Sequence, residues 1–145
     1  MTRSDHMASI QDGDRLYVRA VIGKPYEFLI GDPNTGALVL GDVIGDPNTQ
    51  WIARVAPDRS WTLECQHPEG RLRYLDSDAG SNVTLDDDPS DASTHWQLVQ
   101  LRTTGHWQIR SRSYGHFLSV GERVPTVITD GENPLAHWEL LLIAQ

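Results

Sequence analysis

The side chains able to do chemistry are present in this chain but scattered. Ser, His and Asp all occur, yet no Gly-x-Ser-x-Gly elbow presents a serine nucleophile. Beyond the first ten residues the histidines are His67, His95, His106, His116 and His137. They form no His-x-x-x-His pair, and no Cys-x-x-Cys pair exists, so the ligand spacings of a zinc site are missing. Cys65, in "WTLECQH", shares its alternation phase with Trp61 and Leu63. That phase predicts a buried thiol rather than a nucleophile beside His67. In "DSDAGSNVTLDD", Asp76, Asp78 and Asp87 fall at the first, third and twelfth places of a calcium loop. Gly80 and Ser81 stand where such a loop needs a ligand and its turn glycine, and its last ligand is Asp rather than bidentate Glu. No glycine-rich phosphate cradle opens a helix. The expectation is a non-enzymatic protein without metal or cofactor.

Composition narrows the partners. The chain has 145 residues, enough for one domain with a proper core. Asp and Glu number 20 against 12 Lys and Arg, a formal net charge of −8. Nucleic acid and anionic membranes call for a basic face, and both are excluded as expected partners. With Cys65 the single cysteine, no intrachain disulfide is possible. The N-terminus lacks the apolar core of a signal peptide. A monomer in the cytoplasm is the expectation. Residues 1–9, "MTRSDHMAS", read as a leader left by cloning, with the domain over 10–145.

The elements that would position a site repeat three times. Trp51, Trp96 and Trp138, in "TQWIARV", "THWQLVQL" and "AHWELLLI", are separated by 45 and 42 residues. A second mark runs through "RLYVRAV", "SWTLECQ" and "HWQIRSR", where Val18, Leu63 and Ile109 share a phase, with Leu16, Trp61 and Trp107 two residues earlier. "YEFLIG", "LRYLDS" and "GHFLSV" align Phe28, Tyr74 and Phe117, then Leu29, Leu75 and Leu118. "ALVL", "NVTL" and "TVIT" give a fourth mark, its register open by one residue. Alternation, as in Trp107, Ile109 and Ser111 against Gln108 and Arg110, is that of strands. No 3.6-residue periodicity lasts a helix length. Units of 40–45 residues with four strands suit a propeller blade or a trefoil leaf. Three units are too few to close a propeller. The sequence therefore predicts an all-β, pseudo-threefold β-trefoil, with repeats near 13–57, 58–102 and 103–145. Its last strand must close against its first, and the three tryptophans belong in the core.

The pentapeptide GDPNT occurs twice, at 31–35 and 45–49. Asp, Pro and Asn in this order favour a turn, so both copies read as one turn used at two places. The first reverses a hairpin. The second lies in a longer loop, "GDVIGDPNTQ", matched in the other repeats by "DDDPSDASTH" and "DGENPLAH". In it Val43 and Ile44 are apolar; they can either plug the barrel mouth or make an exposed contact surface.

A trefoil without catalytic residues works through its loops. One reading is a lectin. The ricin-type lectins mark each leaf with Gln-x-Trp; here Thr49, Thr94 and Ala136 stand two before Trp. Their sugar-binding Asp and Asn-Gln pair do not recur at equivalent positions either, so this resemblance covers the framework alone. The other reading comes from "IQDGDRLYVRAV". Asp12-Gly13 followed by Leu16-Tyr17-Val18-Arg19-Ala20-Val21 resembles the opening of the mycocypins, fungal trefoil inhibitors of cysteine proteases. The resemblance implies a reversible inhibitor of cysteine or aspartic proteases. It implies protease contacts by Ile22, Gly23, Lys24 and Pro25, and by a second loop containing Val43, Ile44, Gly45, Asp46, Pro47 and Asn48. The loop "QHPEGR" lacks the Asn that some members present to an asparagine-specific protease. The inhibitor leads here, with a carbohydrate-binding lectin as the alternative and a protease or a glycan as the corresponding partner.

Overall fold

The computed structural model describes residues 10–22, 24–25, 27–32, 34–66 and 73–143. Twelve strands follow one another: β1 Asp14–Ala20, β2 Phe28–Gly31, β3 Leu38–Gly41, β4 Trp51–Val55, β5 Trp61–Cys65, β6 Tyr74–Ser77, β7 Val83–Asp86, β8 Trp96–Gln100, β9 Trp107–Ser111, β10 Phe117–Val120, β11 Pro125–Ile128 and β12 Trp138–Leu142. Antiparallel pairing runs β1–β4–β5–β8–β9–β12 and returns to β1, a closed six-stranded ring. The seam pairs Leu16 with Leu142 and Ala20 with Trp138, so the last strand does close on the first. Closure removes the open edges that strands of this composition would otherwise expose. The hairpins β2–β3, β6–β7 and β10–β11 cap one end. The molecule is a β-trefoil.

The core is filled by the repeat marks. Val18, Leu63 and Ile109 are fully buried, as are Leu29, Leu75 and Leu118. Cys65 is buried as its phase predicts. Trp51, Trp96 and Trp138 have no exposed surface. Each indole Nε1–H donates to a carbonyl in its own leaf: Trp51 to Leu29 (3.0 Å), Trp96 to Leu75 (2.9 Å), Trp138 to Leu118 (2.9 Å). A buried tryptophan brings large apolar area and one polar atom that must be satisfied. Here the acceptor belongs to the first inward residue of the capping hairpin, so each indole ties cap to barrel.

Two sequence readings are corrected. The first is the register of the third hairpin. Leu29 pairs with Leu40, Leu75 with Leu85 and Leu118 with Val127. The match to "ALVL" and "NVTL" is therefore 124–127, two residues before "TVIT". The hairpin turns shorten from six residues to five to four along the chain. A slip of two keeps every side chain on its face, so alternation alone does not reveal it. The second concerns the two GDPNT copies, which fold differently. In the hairpin copy, Asp32 Oδ1 accepts from the N–H of Asn34 (3.0 Å) and Thr35 (3.4 Å), and Gly36 takes φ +80°. In the loop copy, Pro47–Thr49 form a 3-10 turn and the Asp46 side chain caps nothing; Thr49 Oγ1 donates to the Asp46 carbonyl at 2.6 Å. Matching 3-10 turns form in the other two leaves, at Ala92–Thr94 and Pro134–Ala136.

Replacing Trp96 tests the cap-to-barrel tie. Trp96→Ala is expected to cost about 3–5 kcal/mol. Trp96→Phe, which strands the Leu75 carbonyl, is expected to cost about 1–3 kcal/mol. Urea unfolding measures both; midpoints near wild type would show that the indole is dispensable to the core.

Candidate functional site

The loops singled out in the sequence leave the base of one hairpin, joined by Glu27 N–H donating to the Gly41 carbonyl (3.1 Å). Ile22, Val43 and Ile44 are exposed, at 44%, 67% and 43% of full accessibility. Val43 and Ile44 therefore do not plug the barrel mouth. Lys24, Pro25, Gly45, Asp46 and Pro47 are exposed and Asn48 is half-buried; Gly23 lies outside the described residues, as do His67 and most of the "QHPEGR" loop. The second loop is braced from within, by Gly45 N–H to Thr49 Oγ1 (3.2 Å) and Gln50 Nε2 to the Gly45 carbonyl (3.2 Å). His95 and His137 do what Gln50 does. Their Nε2 atoms lie 2.9 Å from the carbonyls of Pro89 and Gly131. Facing a carbonyl, each Nε2 must carry the proton. The residue before each tryptophan is a loop clasp, not a ligand.

The second leaf holds a different arrangement. On its hairpin, Leu75 and Ser77 face inward, so Tyr74 and Asp76 face out. Asp86 lies opposite Tyr74 and Thr84 opposite Asp76. The loop at 87–95 folds over this face. Ser93 hydrogen-bonds the Asp76 carboxyl, and Asp91 hydrogen-bonds Asp86. Desolvation is the largest effect on Asp76 and raises its pKa, helped by the charges of Asp86 and Asp78 and opposed by the Ser93 hydrogen bond. Asp86 is also raised, first by desolvation and then by Asp91. Asp76 Oδ1 is buried without a hydrogen-bond partner. Asp76 also lines a cavity of about 620 Å³ where the three hairpins meet, with Asp78, Asn82, Thr84, Leu38 and Pro125.

Asp78, at the third place of the calcium-like spacing that the sequence leaves incomplete, is committed to the hairpin turn. Its Oδ1 accepts from Gly80 N–H (2.9 Å) and Asn82 N–H (3.2 Å), and its Oδ2 from Asn82 Nδ2 (2.8 Å). The Asn82 amide, the backbone amides and the charge of His116 lower its pKa. Asp87 donates its N–H to Asp86 Oδ1 (2.7 Å). Among the described residues, no group of three or more His, Cys, Asp or Glu is arranged to hold a metal ion.

The sequence reading did not pick out Asp76, Asp86 and Ser93 as a site. The signal is a broken repeat. Asp76 follows Leu75 where the other leaves have Ile30 after Leu29 and Ser119 after Leu118, and Asp86 stands where they have Gly41 and Ile128.

Comparisons with known proteins agree with the fold. No protein-family model matches the sequence, and no curated protein is a significant relative. Among solved structures, the designed threefold-symmetric protein ThreeFoil is 20% identical, with a TM-score of 0.71 over 88% of this chain and 97% of its own. SeviL bound to asialo-GM1 saccharide is 11% identical, at 0.71 over 89% of this chain and 97% of its own. The GlcNAcα1-4Gal-releasing endo-β-galactosidase from Clostridium perfringens is 16% identical, at 0.74 over 90% of this chain. This chain spans about a third (33%) of that enzyme chain. These likenesses establish the trefoil.

The raised Asp76 has a sign that can be checked. An acid whose pKa is higher folded than unfolded stabilises the fold fully below its unfolded value, here 3.8, and loses that contribution as pH rises through the folded value. An amide never ionises. Asp76→Asn is expected to melt above wild type at neutral pH, with the gain closing as pH falls below 3.8. Equal melting temperatures at neutral pH would show that Asp76 is not held against its ionisation.

Proposed function

We propose that the chain is a non-catalytic carbohydrate-binding trefoil whose site is on the second leaf, centred on Asp76. The observation that carries this reading is Asp76 on the wall of an open cavity, a carboxylate with one oxygen that has no hydrogen-bond partner within the protein. An ionised carboxylate only accepts hydrogen bonds, and a sugar supplies adjacent hydroxyls whose O–H groups can donate to it. Thr84 and the Asn82 amide add small polar groups to the cavity, and Leu38 and Pro125 add apolar surface for the C–H faces of a ring. Support also comes from two structural neighbours, one bound to asialo-GM1 saccharide and one named for releasing GlcNAcα1-4Gal. On this reading Asp76→Asn binds glycan at least about tenfold more weakly, the loss of one charge-assisted hydrogen bond. A glycan array followed by calorimetry tests it. A wild-type chain that binds no glycan would end the reading, and an equally potent Asp76→Asn would move the site elsewhere.

The exposed Ile22, Val43 and Ile44 favour a second reading, the mycocypin-like inhibitor. Exposed β-branched side chains on a braced loop lose little entropy on docking. If they anchor a protease, replacing Val43 and Ile44 with Ser should cost about 2 kcal/mol or more in binding, roughly a thirtyfold rise in inhibition constant. The melting temperature should not change. Assays against papain-like, aspartic and serine proteases decide it; a wild type that inhibits none of them removes the reading.

A further inference from the structure

The charge inside the cavity where the three hairpins meet narrows what it can hold. Asp76 and Asp78 line it, and among the described residues no Lys, Arg or His does. Nearby bases do not offset them. Arg123 is exposed and, unlike its neighbour Val124, is not part of the wall. His116 acts on Asp78 but is buried against Ser77, and desolvation pushes its pKa below the usual value, so the ring is neutral at neutral pH. Other acids of this chain are paired with cations: Glu27 with Arg19, Glu64 with Arg54 and Arg73, Asp58 with Arg112. Asp78 is held instead by the amides of Gly80 and Asn82, and Asp76 by the Ser93 side chain. Such donors satisfy oxygens without cancelling charge.

The acids oppose each other's ionisation. The charges of Asp86 and Asp78 add to desolvation in raising Asp76. A cation placed beside Asp76 reverses that opposition. A metal ion is a poor candidate, because no group of three or more His, Cys, Asp or Glu is arranged to hold one among the described residues. The surroundings suit an organic ammonium. Thr84 lies across from Asp76 in the strand pair, so a hydroxyl stands beside the carboxylate on one face. Leu38 and Pro125 supply an apolar wall. A ring that carries an amine next to a hydroxyl matches both.

We propose that the ligands of this site are cationic amino sugars, rings with a free 2-amino group, and that the site rejects anionic glycans. The proposal rests on the glycan reading above and names the substrate class within it. The ammonium takes Asp76, the adjacent hydroxyl takes Thr84, and the C–H face of the ring lies on Leu38 and Pro125. A sialylated or sulfated glycan would bring a further anion to a wall that already holds two.

The test uses the full chain and three isosteric probes: the β1-4 disaccharide of glucosamine, its N,N′-diacetyl form, and cellobiose, in which a hydroxyl replaces each amine. Spermidine serves as a cation without a ring. Calorimetry at neutral pH and low salt is expected to show saturable, equimolar binding of the amino sugar. Cellobiose and the diacetyl form should bind at least about tenfold more weakly, the difference between a charged and a neutral hydrogen bond. Spermidine should also bind at least about tenfold more weakly, having no ring face for the apolar wall. Asp76→Asn changes a net charge of −8 by one unit, so general attraction for cations is nearly kept. The variant should nonetheless bring the amino sugar to within about threefold of cellobiose. If the chain binds glycans but holds amino sugar and cellobiose equally, or favours sialylated glycans, the proposal falls and the glycan reading stands. If no glycan binds, both fall. Spermidine binding as tightly as the amino sugar, or an undiminished amine preference in Asp76→Asn, would each overturn the proposal alone.

Discussion

Three buried indole N–H groups set the terms for the rest of this fold. A tryptophan wholly removed from water must place its one donor on an acceptor, and leaving it unmet costs about 1–3 kcal/mol. In each leaf the acceptor is the carbonyl of a fully buried leucine on the first strand of the capping hairpin. The distance between indole and carbonyl therefore fixes how the hairpin sits on the barrel. The loop before each tryptophan has to deliver it to that place, and all three loops have nine residues. A 3-10 turn closes each, and Gln50, His95 or His137 fastens each to a carbonyl upstream. The positions that in ricin-type lectins carry glutamine are used here for this bracing in two leaves, where the hydroxyls of Thr49 and Thr94 donate to the carbonyls of Asp46 and Asp91.

With the inner faces committed, chemical variety is left to the outer faces and the loop surfaces. The first strands of the first two hairpins alternate, so a change at Ile30 or Asp76 alters the outer face of a leaf without touching Leu29 or Leu75, whereas in the third leaf Ser119 is buried and donates to the Leu135 carbonyl (3.1 Å). The second leaf has taken that freedom furthest. Its Asp76 and Asp86 are acids whose ionisation burial opposes, a local cost that the surrounding framework is stable enough to hold. Asp58 shows the opposite case, an exposed carboxylate kept well supplied with donors by Ser60, His95 and Arg112. The same side chain becomes a strained acceptor or a saturated clasp according to what the loops bring to it.

The framework was legible because it repeats. Trp51, Trp96 and Trp138, and the leucines that accept from them, stand at matching places in three units, and three weak signals in phase amount to a strong one. The closing pair, β1 with β12, followed from the need to leave no open edge. The third hairpin's register was not legible, because its turn is two residues shorter than that of the first and a two-residue slip preserves alternation. The twin GDPNT segments mark the limit of local reasoning. The same five residues make an Asp-capped hairpin turn when two paired strands flank them, and a 3-10 turn when Trp51 must be placed two residues later. Tertiary context decides between conformations that the pentapeptide permits alike. Asp76 was read only as part of an incomplete calcium loop, for a related reason. Its spacing to Asp78 suggested a shared ligand, whereas the strand turns Asp76 outward and the hairpin turn consumes Asp78.

Breaking the repeat in one leaf has a consequence for how such a protein would hold a glycan. Leaves one and three offer Ile30 and Ser119 in place of Asp76, and Gly41 and Ile128 in place of Asp86, so neither can reproduce the pair of carboxylates. A trefoil with three equal sites can gain avidity on a branched or clustered glycan without strengthening any contact. A trefoil with one site cannot, and its affinity must come from a single pocket. The cavity beside Asp76 is suited to that demand, because it is not built by one leaf: Leu38 comes from the first, Asn82 and Thr84 from the second and Pro125 from the third. The pseudo-symmetric cap thus supplies surface from every leaf to a cavity whose acids reside in one, and loss of symmetry in the acids is matched by convergence in the walls.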